Sequence, residues 1–176
     1  LTRLNTNAPA MRIAVFSSSD GQRTLIGYGS GVAVASDKII TNAHVAEPAR
    51  TDESVTFTII PSEGNTTYSA RLIASAPGKD LALLQLAENG RLIPASFFSG
   101  IIGDGADVFA IGYTANIDIA LEQSDADVLR PSPPVNTRGN FSSGRSSKSV
   151  ESLLHTAPIA PGSSGGPLAD SCGRVI

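Results

Sequence analysis

The sequence predicts an all-β protein, a barrel or a sandwich. Helical periodicity is nearly absent from its 176 residues, short β-branched or apolar runs recur along it, and turn residues separate those runs. In the first half, strands are expected over residues 12–17, where Ile13 to Phe16 is apolar, and over 31–35, around Val32 and Val34. Four more are expected over 38–42, around Ile39 and Ile40, and over 54–60, 68–74 and 81–86. Ser36-Asp37 reads as a tight hairpin turn and Ser62-Glu63-Gly64-Asn65 as another. Residues 88–96 are a plausible crossing to a second half, with strands expected at 107–112, 135–141, 153–157 and 173–176. Residues 130–149 carry four basic side chains, no acids and many serines, the composition of a surface loop beside a strand.

Composition bounds the function. A chain of this length can bury roughly 70% of its unfolded surface, enough for one ordinary domain. With 13 basic against 16 acidic side chains and no Trp, nothing suggests a polyanion-binding surface or a base-stacking platform, so no nucleic-acid partner is expected. The uncharged run 152–169 is broken by three prolines and three glycines, so it is no membrane span. No Cys/His cluster points to a metal, and no organic cofactor is implied. The single cysteine, Cys172, cannot form a disulfide within this chain and reads as a small, partly buried apolar residue. Leu1 is neither an initiator Met nor part of a signal peptide, which suggests a processed or trimmed piece.

Three motifs carry chemistry. In Pro161-Gly162-Ser163-Ser164-Gly165-Gly166-Pro167, glycines permit sharp backbone turns and prolines limit relaxation, the arrangement a serine nucleophile and its oxyanion amides need. Thr41-Asn42-Ala43-His44-Val45 ends an apolar β-type run in a histidine, and Asp80 precedes the apolar run Leu81-Ala82-Leu83-Leu84. The chain order His, Asp, Ser is that of chymotrypsin-type arrangements. Ser164 is preferred to Ser163 because the two-glycine turn follows it directly. Of seven aspartates between His44 and Ser164 (52, 80, 104, 107, 118, 125 and 127), most sit in turn-like settings, whereas Asp80 opens a strongly apolar strand, so its partly buried carboxylate enters at a core margin and can orient an imidazole. Lys79 would point to the opposite face. His155, nine residues before Ser164, reads as structural, with a hydrogen bond inside the second half.

These motifs, with Gly29-Ser30-Gly31-Val32 and Ala110-Ile111-Gly112-Tyr113, resemble a bacterial trypsin-like serine protease of the chymotrypsin superfamily, most like its HtrA-type branch, from about residue 26 to residue 175. The resemblance implies two six-stranded antiparallel β-barrels with the active site between them, residues 8–92 forming the first and 93–176 the second. Family members continue past Ile176 with further strand and usually a helix, so the second barrel would be truncated at its C-terminus. By the family pattern His44 is the general base, Asp80 its orienting partner, Ser164 the nucleophile, and the N–H groups of Gly162 and Ser164 form the oxyanion hole. The S1 pocket base falls at Pro158, beside Ile159 and Ala160. No acid lies there, which favours a small or medium apolar P1 residue over Arg or Lys. Ser163 stands where animal trypsins carry an aspartate that pairs with a freed N-terminus and HtrA-type relatives usually carry asparagine, so activation by N-terminal insertion is not expected. Residues 130–149 would be a regulatory loop in such an enzyme. The implied function is serine endopeptidase action on polypeptides through an acyl-enzyme, with a periplasmic or other extracytoplasmic location, a cytoplasmic one remaining open, and an oligomer possible. A catalytically silent peptide-binding or scaffolding module is the alternative, and an esterase a second one.

Overall fold

A computed structural model of the chain describes residues 10–62, 66–114, 129, 133–147 and 150–176. The first half holds six strands: β1 (Ala10–Ser19), β2 (Gln22–Ala35), β3 (Lys38–Thr41), β4 (Thr56–Pro61), β5 (Tyr68–Ala76) and β6 (Leu81–Leu86). They close into an antiparallel barrel in the order β1-β2-β3-β6-β5-β4. Register shifts at Val15/Phe16, Ala33/Ala35 and Leu72/Ala74 mark the bulges that bend the sheet enough to close. The interior is filled by Met11, Ile13, Val15, Ile39, Phe57, Ile59, Leu84 and Leu86, alternate residues that the two-residue period turns inward. Each such aliphatic side chain contributes about 1.5–3 kcal/mol on burial.

Strand β1 is buried on both faces. While Ile13 and Val15 fill the barrel, Ala14 and Phe16 pack outside it with Ile60, and Ala10 packs with Ile111, Tyr113 and Ala169 of the second half. That explains the near-continuous apolar run where a one-sided strand would alternate. The second half supplies β7 (Asp107–Gly112), β8 (Val135–Ser147), β9 (Val150–His155) and β10 (Leu168–Asp170). Among the described residues these form one sheet in the order β10-β7-β8-β9.

Several expectations change. Strand β2 begins at Gln22, nine residues before the expected start, because residues 22–32 pair with β1 around the Asp20-Gly21 turn. The serine-rich stretch expected as a loop is largely strand: β8 runs through it and pairs with β9, Ser143 opposite Leu154 and Gly144 opposite Leu153. The backbone ladder overrides a composition that reads as loop. Strand β10 was not expected, and residues 173–176 form no strand of their own. Val175 instead bridges both Phe97 and Ala169. The turn at Ser62-Glu63-Gly64-Asn65 lies outside the described residues from 63 to 65, as do Asp118, Asp125 and Asp127, and residues 130–132 and 148–149 of the proposed regulatory loop. Cys172 is exposed rather than partly buried.

Asp170 ties the last described turn together. Its Oδ1 accepts the Cys172 and Arg174 backbone N–H groups (both 2.9 Å), and its Oδ2 accepts Arg174 Nε at 2.8 Å. Burial pushes this carboxyl up, but the Arg174 guanidinium and the two backbone donors outweigh it, leaving the group below its ordinary value. A carboxyl depressed on folding stabilises above the unfolded pKa, and that stability disappears as pH falls through the folded value. Asp170→Asn should therefore lower stability at pH 7 by about 1–2 kcal/mol, and the gap from wild type should close below about pH 4. Thermal melts across pH 3–7 check this; a gap that does not change with pH would contradict it.

Candidate active site

His44 does not end a strand. Strand β3 stops at Thr41, and His44 sits in a single helical turn, α1 (Ala43–Ala46), whose Ala43, Val45 and Ala46 are buried against the barrel. The turn projects the ring towards Asp80. His44 Nδ1 lies 2.8 Å from Asp80 Oδ2 and 3.1 Å from Oδ1, and the His44 backbone N–H donates to Oδ1 at 3.0 Å. Asp80 itself follows a 3-10 turn (Pro77–Lys79) and adopts a left-handed backbone, φ 50° and ψ 44°. The strand alternation expected for Lys79 and Asp80 therefore does not apply. Left-handed geometry, which Asp tolerates better than most residues, swings the carboxylate back over α1. Asn42 Nδ2 holds the Asp80 carbonyl at 2.9 Å. Partial desolvation pushes the Asp80 carboxyl up, yet the His44 backbone amide, the His44 ring and the Ala43 amide outweigh it, so it lies below its ordinary value. Asp80 thus stays an anion beside the ring, and its side chain is half-exposed, as a carboxylate at a core margin would be.

The serine loop is two successive turns. The Ser163 N–H donates to the Ala160 carbonyl at 3.0 Å and the Gly166 N–H to the Ser163 carbonyl at 2.9 Å. Gly162 (φ 92°) and Gly165 (φ 85°) occupy the third positions, while Pro161 and Ser164 at the second positions have negative φ. That combination defines type II turns, which require glycine where the backbone turns left-handed. The N–H groups of Gly162 and Ser164 have no acceptor among the described residues. Gly165 and Gly166 also have no space for a side chain. A Cβ on Gly165 would collide with the Ser30 carbonyl and Thr41 Oγ1, and one on Gly166 with the Ile111 carbonyl.

Ser164 lies where two cavities meet. One, about 320 Å³, is lined by His44, Val45, Tyr28, Pro48, Gly162 and Ser164. The other, about 250 Å³, is lined by Asn42, His155, Ile159, Ala160, Ser163 and Ser164, among others. The fold thus brings His44, Asp80, Gly162 and Ser164 together, although no hydrogen bond joins the His44 ring to Ser164 among the described residues. Ile159 and Ala160 face the smaller cavity, whereas Pro158 is not among its lining residues and its carbonyl accepts Thr137 Oγ1 at 2.5 Å. His155 lines the same cavity, and its ring makes no hydrogen bond among the described residues, Nδ1 being buried without a partner, contrary to the bond expected for it. Sequence reasoning missed Ser30, whose buried side chain touches the loop. The Gly-Ser-Gly context marks it only once the strand pairing is known.

A closed six-stranded barrel, a second sheet and a histidine–aspartate pair facing a serine loop are the marks of the chymotrypsin-like architecture. The chain belongs to the trypsin-like peptidase domain family, which matches residues 29–176. Among curated relatives it is 32% identical to the magnetosome formation protease MamE of Paramagnetospirillum magneticum, over 88% of this chain and 20% of that protein. It is 33% identical to the chloroplastic Protease Do-like 1 of Arabidopsis thaliana, over 86% of this chain and 33% of that one. With the serine protease Do-like HtrA of Bacillus subtilis it shares 28% identity, over 100% and 38%. The chain therefore spans about a fifth to two fifths of these relatives' length. Among solved structures, Deg5 superposes with a TM-score of 0.76 at 24% identity, covering 97% of this chain and 78% of that one. The active form of the Rv3671c protease from M. tuberculosis superposes at 0.68 with 20% identity, over 97% and 68%. Both structural likenesses speak to the fold.

Gly165→Ala should destabilise the protein by roughly 2–4 kcal/mol, combining left-handed strain with overpacking against Ser30 and Thr41. Denaturant melts measure it, and an unchanged midpoint would contradict the turn geometry.

Proposed function

We propose that the chain is a serine endopeptidase domain that cleaves polypeptides through an acyl-enzyme. The observation that carries this reading is the His44–Asp80 pair, at 2.8 Å, opening onto the cavity that also holds Gly162 and Ser164. In this reading Ser164 Oγ attacks the scissile carbonyl while His44 Nε2 takes its proton. Asp80, held as an anion, accepts a hydrogen bond from Nδ1–H, fixes the tautomer and stabilises the imidazolium. The oxyanion is received by the N–H groups of Gly162 and Ser164, each donor typically worth about 3 kcal/mol of barrier. His44 then passes its proton to the leaving amine, and water repeats the sequence on the acyl-enzyme. Ile159 and Ala160 would wall the P1 side chain, with Pro158 shaping that wall through its carbonyl bond to Thr137. The HtrA-like relatives favour an extracytoplasmic setting for the chain.

The second reading is a silent peptide-binding module, which the missing hydrogen bond between His44 and Ser164 favours among the described residues. A fluorophosphonate probe separates the two. Wild type should be labelled at Ser164, and Ser164→Ala should lose the label. His44→Ala should leave only about 10³–10⁴-fold catalysis over water on peptide substrates. Absence of labelling in folded wild type, or labelling that survives Ser164→Ala, sinks the peptidase reading. A labelling rate that is unchanged in His44→Ala removes His44 as the base.

A further inference from the structure

We propose that Ser30 is a positioning residue for the oxyanion amides, setting from the first barrel the orientation of the loop that carries Ser164. The proposal rests on the peptidase reading and deepens it. Ser30 lies on β2 and is fully buried. Its backbone N–H donates to the Ser164 carbonyl at 2.8 Å, and its hydroxyl donates to the Gly162 carbonyl at 2.8 Å. The same hydroxyl oxygen accepts the Tyr113 backbone N–H at 2.9 Å, and the Ser30 carbonyl accepts Thr41 Oγ1 at 2.7 Å.

Peptide planarity gives these bonds their consequence. Each peptide plane is rigid, so holding its carbonyl also aims its N–H. The Gly162–Ser163 plane is held at both ends, its carbonyl by Ser30 Oγ and its N–H by the Ala160 carbonyl. The Ser164–Gly165 plane is held through its carbonyl by the Ser30 N–H. These two planes alternate along the chain with the Pro161–Gly162 and Ser163–Ser164 planes, which carry the candidate oxyanion donors. Ser30 therefore anchors planes that flank both donors, while the Ser163–Ser164 plane is also held through its own carbonyl by the Gly166 N–H.

The backbone bond to Ser164 is available from any residue at position 30, whereas the bond to Gly162 needs the hydroxyl. Gly162 has no side chain to resist rotation, so without that bond its carbonyl loses its anchor to β2. The bond from Tyr113, just past β7, fixes the hydroxyl's own rotor and links the second sheet to the same point. A purely structural serine would satisfy buried polar groups and affect stability alone; a positioning serine also affects stabilisation of the oxyanion.

The test compares wild type, Ser30→Ala, Ser30→Cys and Thr58→Val. Thr58→Val removes a buried hydroxyl from β4, away from the loop, as a stability control. Below the lowest melting temperature, kcat and KM on a peptide substrate and the affinity of a peptide boronate are measured. Ser30→Ala should lower kcat by about 10–100-fold with KM within about twofold, and weaken boronate binding in parallel. Ser30→Cys, with its weaker donor, should fall between and serves if Ser30→Ala fails to fold. Thr58→Val should lose melting temperature but keep kcat. Wild-type kcat and boronate affinity in folded Ser30→Ala or Ser30→Cys would overturn the proposal. If wild type takes no fluorophosphonate label, the peptidase reading has failed separately. A crystal structure of Ser30→Ala then decides the positioning: a rotated Gly162 carbonyl supports it, an unmoved one overturns it.

Discussion

The seam between the first barrel and the 160–166 loop is the constraint on which the rest depends. Strand β2 meets the loop through the Ser30 N–H and hydroxyl, and Gly165 packs so close to Ser30 and Thr41 that no side chain fits between them. Thr41 belongs to β3, three residues before His44. One short stretch of barrel wall thus sets both the height of the serine loop and the start of the turn carrying the imidazole. The buried apolar contacts of Ala10 with Ile111, Tyr113 and Ala169 hold the second sheet against that wall. Misplacement by 1 Å at such a seam can cost about two orders of magnitude in rate, and the join is made by backbone groups and short, buried hydroxyls rather than by long flexible side chains.

Charge is arranged with similar economy. Asp80 reaches His44 from a left-handed residue, so its main chain turns away while its carboxylate folds back over α1. The backbone N–H at the start of α1 and the ring nitrogen converge on one carboxylate, which keeps it ionised despite partial desolvation. Water reaches both side chains, so the pair gains its value from geometry rather than from a low-dielectric setting.

Much of this was legible in the sequence because it rests on local rules. Alternating apolar residues from Ile13 to Leu86 locate the barrel strands, and Gly162 and Gly165 of the serine loop sit where the turns need positive φ. What was hidden depends on partners distant in the chain. The early start of β2 follows from its pairing with β1, and the continuation of the expected 135–141 strand through residue 147 follows from its ladder to β9. Asp80 is partly buried as expected, but it reaches His44 from a left-handed residue before β6 rather than from the strand itself. Ser30 was visible only as part of a motif. Its role needs the three-dimensional contact with Gly162, 132 residues away.

The central claim is that residues from both halves converge on one carbonyl-attacking hydroxyl with two amides facing the developing charge. A crystal structure of the chain after reaction with a peptidyl phosphonate tests it most directly. The account predicts phosphorus bonded to Ser164 Oγ, with one phosphoryl oxygen about 2.7–3.1 Å from the N–H groups of both Gly162 and Ser164, and His44 Nε2 facing the adduct. An adduct on another residue, or a phosphoryl oxygen turned to solvent with neither amide in reach, would contradict it.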